Sequence, residues 1–295
     1  MTMILQSSDA AFELVTLKGG GRSIRSKAHG ETMHIGTDPR TESLELHVGQ
    51  QLLAERLRDW NQPDPFVIWD IGLGPAGNAI TAIEVIREVI NSETRESATP
   101  VEVHSYEIST EVLEFALGHA GELEYLAGWE TILRELLETG KASPAPSIDW
   151  RLHRGDFSRQ PHDAPAPSVI FFDPYSPAQN SEMWNLETFQ SMWVAVSAPD
   201  SPPCTMTNYT RSTSVRVTML LAGWFVGTGV PTGEKEVTTI AANRLDLLKE
   251  PLDATWLARV RSSTNAEPMR GRNNERGPIS PQDYARLIAH PQFLG

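Results

Sequence analysis

Phe66-Val67-Ile68-Trp69-Asp70-Ile71-Gly72-Leu73-Gly74-Pro75-Ala76-Gly77 decides the fold. An apolar run rich in β-branched residues ends at Asp70, a complete G-x-G-x-x-G follows, and Ile80, Ile83, Ile86 and Ile90 then recur at helical spacing. The pattern predicts a buried strand, a tight glycine turn and a helix whose N-terminus faces whatever occupies the turn. Glycines there accept positive φ and let a ligand approach the backbone. The helix N-terminus favours a carboxylate or phosphate. Nucleotide-type cofactor binding is one reading of these residues; an ordinary tight turn of an α/β protein is the other.

Working outward, the same alternation repeats. Val101–Glu107 reads as a second strand ending on an acid, and Ile148–His153 as a third that leads into Gly155-Asp156. Ser168–Asp173 is a continuous apolar run of the kind buried on both faces, and Cys204–Asn208 is a fifth strand. Helical patterns lie between them, including one from Glu122 to Thr139 and one from Glu182 to Ser197. Trp224–Thr228 and Glu236–Ala241 complete the set, the second as a hairpin return. The expected fold is α/β: a doubly wound, Rossmann-like sheet, mostly parallel, with one antiparallel edge strand.

Flanking this core, Phe12–Leu17 and Ser23–Ser26 around Gly19-Gly20-Gly21 predict a small N-terminal β hairpin. A polar loop, Ala28–His34, follows without an evident structural duty, and then a helix from about Ser43 to Asp59. The expected organisation is residues 1–60 packed on a core domain of residues 61–243, with residues 244–295 as a C-terminal helical appendage. In that tail, Arg270, Arg272 and Arg276 lie in a linker between two short helices. They read as solvated loop or as phosphate contacts.

Composition narrows the class. With 295 residues, 40% hydrophobic and 21% charged, the chain can bury a large core. A formal net charge of −13 argues against broad nonspecific nucleic-acid binding but leaves room for a local basic face. The single cysteine, Cys204, excludes an internal disulfide and a cysteine-based zinc site, and makes a reducing, cytoplasmic compartment the default. No stretch is apolar and long enough to predict a membrane span.

Ligands of such sheets bind beyond the carboxyl ends of the strands. Asp70 with the glycine turn, Glu107, Asp156, Asp173 and Asn208 fall there. Any one acid can merely cap the next helix; four in succession predict a polar rim around a crevice. Ionised carboxylates accept from hydroxyl and amine donors and serve a pyrophosphate poorly, which disfavours a nicotinamide dinucleotide.

The pattern D-x-G-x-G, an acid ending the second strand and Gly155-Asp156 after the third resemble the S-adenosylmethionine-dependent methyltransferases. Asp173-Pro174-Tyr175-Ser176-Pro177-Ala178-Gln179-Asn180-Ser181-Glu182-Met183-Trp184 resembles the D-G-F-A-P-x-x-N-P-x-M-W segment of the MnmC-type tRNA-modifying methyltransferases. Gly30-Glu31-Thr32-Met33-His34 is similar to that family's G-E-T-M-H box, and Ala222-Gly223-Trp224 with Gly233-Glu234-Lys235-Glu236 to its closing elements. The matches keep the family's order from about Gly30 to Ala241. The resemblance implies a class I methyltransferase sheet with S-adenosyl-L-methionine as cofactor. Asp70, Gly72, Gly74 and Gly77 would lie at the cofactor, with Glu107 on its ribose hydroxyls and Asp156 on its adenine amine. It further implies methylation of the aminomethyl group of a modified wobble uridine in tRNA.

Departures accompany the match. Asp-Pro-Tyr-Ser-Pro replaces Asp-Gly-Phe-Ala-Pro, and the closing element, Gly233-Glu234-Lys235-Glu236, has one basic residue fewer than the family's G-x-K-R-E. No second glycine fingerprint follows, so the fused FAD-dependent oxidase domain of some members is not expected here, and a separate oxidase would act upstream. Asp173 is the expected group that orients the acceptor amine and receives its proton, with Glu31 and Tyr175 as further acceptor-side candidates. Trp184 reads better as a core residue, whereas Arg211 and Arg216 read as a solvated face or as phosphate contacts. His29 and His34 have no partners at metal-ligand spacing, so no metal is expected. Two other functions fit the same residues: a methyltransferase for a small-molecule or protein amine, and a non-catalytic nucleotide-binding scaffold.

Overall fold

A computed structural model describes residues 11–34, 38–92, 99–159, 163–232, 236–271 and 276–294. The Gly233–Lys235 part of the closing element, Arg272 and most of the polar connection before Val101 lie outside the described residues. The chain divides into two units, Met1–Asp156 and Phe157–Gly295. The sequence-based organisation, with boundaries near residues 60 and 243, is a different division of the chain.

In the first unit, β1 (Phe12–Thr16) and β2 (Arg22–Ser26) form the expected hairpin. The polar loop contributes an unexpected third strand, β3 (Glu31–Thr32), paired antiparallel to β2. The helix expected over 43–59 is broken. Asp38 caps α1 (Pro39–Ser43) by accepting from the Arg40 and Thr41 N–H groups. Leu44–Gly49 then winds as a wider i→i+5 turn, Leu52 enters the left-handed region at φ 52°, and α2 (Leu53–Arg58) restarts. Periodicity persists through such a break because the apolar residues Leu46, Leu53 and Leu57 stay buried on both sides of it.

β4 (Phe66–Ile71) is buried at every residue, as its apolar run predicts. It is followed by α3 (Gly77–Ser92), β5 (Val101–Glu107), α4 (Glu111–Gly118), α5 (Glu130–Thr139), β6 (Lys141–Ala145) and β7 (Ile148–Arg154). β4, β5 and β7 run parallel, in that order. β6 adds an antiparallel edge that the sequence reading does not include, because Pro144 within it and Pro146 after it do not read as strand. Proline is tolerated there, since an edge strand pairs on one side only. The helix expected over Glu122–Thr139 is also interrupted: a 3₁₀ turn at Glu124–Leu126 and Gly128 at φ 83° precede α5.

The second unit contains β8 (Val169–Phe172), α6 (Leu186–Val196), β9 (Thr205–Asn208), α7 (Thr213–Leu221), β10 (Phe225–Gly229) and β11 (Thr238–Ala242). β8 and β9 are parallel, and β11 returns antiparallel between β9 and β10. The expected antiparallel return is therefore present, one position inside the edge. Each buried Val, Ile or Phe of β8 contributes on the order of 1.5–3 kcal/mol.

The tail docks onto this second unit. α8 (Ala254–Ser262) is capped by Asp253, and α9 (Pro281–Ile288) by Ser280 with proline at its first position. Arg270, read as loop or phosphate contact, pairs with Asp283 at 2.7 Å. The Leu186 N–H donates to the Met269 carbonyl, and the Met269 N–H to Thr218 Oγ1. Gln292 completes the edge of β10: its Oε1 accepts from the Val226 N–H, and its Nε2 donates to the Val226 and Leu252 carbonyls, all at 2.8 Å. Gln292→Ala strands the Val226 N–H and the Leu252 carbonyl, while the Val226 carbonyl keeps the Leu252 N–H, and is expected to cost about 2 kcal/mol, read as a fall of several degrees in the thermal midpoint. An unchanged midpoint would mean that the tail is not held by this side chain.

Among the described residues, no helix is long and apolar enough to cross a membrane.

Candidate functional site

The parallel strands β4, β5 and β7 end at one edge of the first unit's sheet, and the predicted cofactor residues gather there. Gly72 and Gly74 adopt φ 89° and 52°, which the turn requires. The Gly72 and Leu73 N–H groups donate to the Tyr106 carbonyl on β5, so the turn is tied to the neighbouring strand. Glu107 completes the tie. Its Oε2 accepts from the Gly74 N–H at 2.8 Å and its Oε1 from the Ser109 N–H at 3.2 Å. Burial raises its pKa above the ordinary carboxylate range, against the opposing pull of the Gly74, Ser109 and Ile108 N–H groups. One residue before Asp156, the Gly155 N–H donates to the Glu107 backbone carbonyl at 2.9 Å. Glu107 and the half-buried Asp156 are thereby brought to adjacent strand ends, as the sequence predicts.

Two of the expected cofactor residues, Asp70 and Gly77, lie at this same edge but are buried. Asp70 is fully buried and sits opposite Ser105 in the β4–β5 register. Ser105 Oγ donates to its Oδ2 at 2.7 Å and accepts from Trp150 Nε1 at 2.9 Å. Its carboxylate thus stabilises the sheet beneath the turn and presents no surface to a ligand. Gly77 is also buried: a Cβ there would lie 3.0 Å from His34 Nε2 and 3.4 Å from the Pro39 Cβ. The third glycine thus packs closely against His34 of the Gly30–His34 box, and Met33 Sδ lies at ordinary contact distance, 3.9 Å, from the Cβ position of Gly74. The loop without an evident duty therefore buttresses the glycine turn. Glu31 is half-buried on β3, opposite Ser26.

Two residues of this edge escaped the sequence reading. Ile108, immediately after Glu107 at the end of β5, is 70% exposed and offers an apolar surface there. Tyr125 donates its hydroxyl to the Pro75 carbonyl of the turn at 3.3 Å, and burial raises its pKa. For Ile108 the signal was present, an apolar residue at the first position past a strand. For Tyr125 it was absent, because the contact spans fifty residues.

In the second unit, Asp173 follows β8 directly and is half-buried, as is Tyr175. The Tyr209 hydroxyl donates to the Pro174 carbonyl at 2.9 Å, and Trp184 Nε1 donates to the Tyr175 carbonyl at 2.8 Å. Trp184 is fully buried, edge-on to Phe172 at 4.9 Å and to Tyr209 at 5.7 Å, which bears out its reading as core. Asn208 is buried and turns inward, accepting from the Thr210 N–H. Arg216 is no phosphate contact in this arrangement: it is buried, with Nε on Thr239 Oγ1 and Nη2 on the Thr238 carbonyl. Arg211 is exposed.

The first edge fits S-adenosyl-L-methionine chemically. Its half-exposed Gly72 and Gly74 leave room beside the backbone, its carboxylates are acceptors for hydroxyl and amine donors, and Ile108 offers an uncovered apolar face. Among the described residues, no group of three or more His, Cys, Asp or Glu side chains is arranged to hold a metal ion.

The comparisons agree with this chemistry. A family model described as S-adenosyl-L-methionine-dependent methyltransferase matches residues 138–244. Fold and family model together make the chain an S-adenosyl-L-methionine-dependent methyltransferase of the class I fold. Within that class, its fold is similar to that of MnmC2 from Aquifex aeolicus, in line with the MnmC-type resemblance of the sequence boxes. That likeness has a TM-score of 0.67 at 20% identity and covers 94% of this chain and 84% of that one. Precorrin-6y C5,15-methyltransferase from Geobacter metallireducens matches at a TM-score of 0.36 and 16% identity, covering 65% and 87%. Magnesium protoporphyrin IX methyltransferase from Synechocystis, solved with bound S-adenosylmethionine, matches at 0.36 and 12%, covering 66% and 79%. Scores that low carry nothing further for this chain. No curated protein matches it by sequence.

Proposed function

We propose that the chain methylates a primary amine, the aminomethyl group of a modified wobble uridine in tRNA. The observation that carries this reading is Asp173, a half-buried carboxylate at a strand end, followed by a proline-stiffened loop whose first two carbonyls are held by Tyr209 and Trp184. When bound, S-adenosyl-L-methionine supplies an electrophilic sulfonium methyl. What the protein provides is a neutral amine with its lone pair aimed correctly. A free alkylamine resembles the lysine ammonium, with a pKa of about 10.4, so it arrives protonated. Asp173 orients the ammonium, receives its proton and leaves the lone pair exposed. Tyr175 lines the acceptor side, and Glu31 is its second carboxylate candidate. On the cofactor side, Glu107 takes the ribose hydroxyls, Asp156 the adenine amine and Ile108 the face of the base, while Gly72 and Gly74 lie against the methionine portion.

The net charge of −13 is compatible with an RNA substrate, since Lys and Arg nearly balance Asp and Glu after residue 156 and the excess acid lies before it. A second reading, a small-molecule or protein amine acceptor, is favoured by the altered Asp173–Pro177 loop. Labelled cofactor and undermodified total tRNA decide between the two. The expected result is label in a hypermodified uridine after nuclease digestion; label confined to small molecules or protein would overturn the tRNA reading. Removal of a carboxymethyl group, where needed, falls to a separate FAD-dependent oxidase.

A further inference from the structure

Tyr209 has no role in the reading above, yet its hydroxyl holds the loop that follows Asp173. β8 and β9 are parallel with Phe171 opposite Thr207, so Asp173 and Tyr209 occupy the same register position two residues beyond. The backbone around Tyr209 is fixed from both sides. The Thr210 N–H donates to Asn208 Oδ1 at 3.1 Å, and Thr239 Oγ1 on β11 donates to the Thr210 carbonyl at 2.7 Å. Thr239 is itself set by the buried Arg216, whose Nε donates to the same Oγ1 at 2.9 Å. From this rigid post the phenol reaches the Pro174 carbonyl at 2.9 Å, and its ring meets Trp184, whose indole holds the next carbonyl, that of Tyr175.

The consequence falls on Asp173. Its ψ is confined to the extended region by the proline that follows, and Pro174 has its own φ fixed by the ring. The Pro174–Tyr175 peptide plane, on which the chain leaving Asp173 rests, is held by the Tyr209 hydroxyl. We infer that Tyr209 is a positioning residue for methyl transfer, holding the Asp173 carboxylate in the direction that turns an acceptor amine's lone pair outward. The inference rests on Asp173 as the amine-orienting group. The alignment of groups that must meet in line is sensitive to shifts of an ångström, and a buried chain Arg216–Thr239–Thr210 is the kind of support that prevents them.

The test uses the full chain with Tyr209→Phe, which keeps the ring against Trp184 and removes only the hydroxyl. Amide exchange of residues 175–184 is expected to accelerate and the thermal midpoint to fall by a few degrees, while cofactor affinity stays near wild type. Turnover is expected to fall by about 10- to 100-fold with little change in KM for the acceptor. In an Asp173→Asn background the same substitution should cost less than about twofold, because its effect passes through that carboxylate. Unchanged exchange, unchanged kcat or a fully additive double variant would each overturn the inference. A wild-type chain that binds cofactor but methylates no amine would overturn the reading of Asp173 instead, and the exchange measurement would still decide whether Tyr209 fixes the loop.

Discussion

Asp173→Ala is expected to lower kcat by about 10²- to 10³-fold while changing cofactor affinity by less than about threefold. The separation follows from the ligand each residue serves. Asp173 is assigned to the acceptor amine, whereas Gly72, Gly74, Glu107 and Asp156 are assigned to the cofactor, so its loss leaves the proposed cofactor contacts in place. If it both orients the ammonium and receives its proton, its loss removes a positioned acceptor and leaves the amine protonated near neutral pH. The two parts can be separated. Asp173→Asn keeps one hydrogen-bonding oxygen but cannot take a proton, so raising the pH should restore part of its rate as solvent deprotonates the amine. Asp173→Ala should recover less. Steady-state kinetics and calorimetric titration with the demethylated cofactor read the two quantities separately. Wild-type turnover in Asp173→Ala would remove the residue from the mechanism.

What the sequence made legible were the features carried by short-range pattern. β4, β5, β7, β8 and β9 all lie where the apolar runs place them, because a strand buried among neighbours leaves its signature in four to seven consecutive residues. The acids at their ends follow from chain direction alone. What escaped were contacts between distant segments. Nothing local tells that Asp70 faces Ser105, since a one-residue change of phase would have aimed it at the opposite face. Nothing in Gly30–His34 announces that His34 and Met33 pack on glycines forty residues later. Arg216 reads as a solvated helix position until β11 supplies its hydroxyl and carbonyl partners. The tail's composition looks like linker, and only the pairing of Gln292 with β10 shows that it completes a sheet edge. The candidate site was accordingly legible as a set of residue types at strand ends. Its supporting residues, Tyr125 and Tyr209 among them, were not.

Glu107→Gln is expected to weaken cofactor binding by about 10²-fold, and the pH dependence around Glu107 provides a more demanding test than the substitution alone. Hydrogen bonds to a charged acceptor contribute roughly 1.5–3 kcal/mol each, and two ribose hydroxyls would share this carboxylate. Because burial raises the folded-state pKa of Glu107, the folded protein takes up this proton at a higher pH than the unfolded chain does. For the protein without cofactor, the stabilising contribution of Glu107 is therefore fully present below its unfolded pKa and is lost as the pH rises through the raised folded value. Cofactor affinity must run the other way. Hydroxyl donors need the ionised acid, so affinity should be full at neutral pH and fall on acidification, beginning above the ordinary carboxylate range. Opposite slopes from one group are a signature that general acid unfolding cannot imitate, since unfolding would lower stability and affinity together. In Glu107→Gln both slopes attributed to this group should vanish, leaving a weak affinity that no longer varies over the same interval. Titrations paired with thermal melts from about pH 8 down to about pH 5 read both arms. A wild-type affinity that stays flat across that range would place the ribose hydroxyls on some other acceptor.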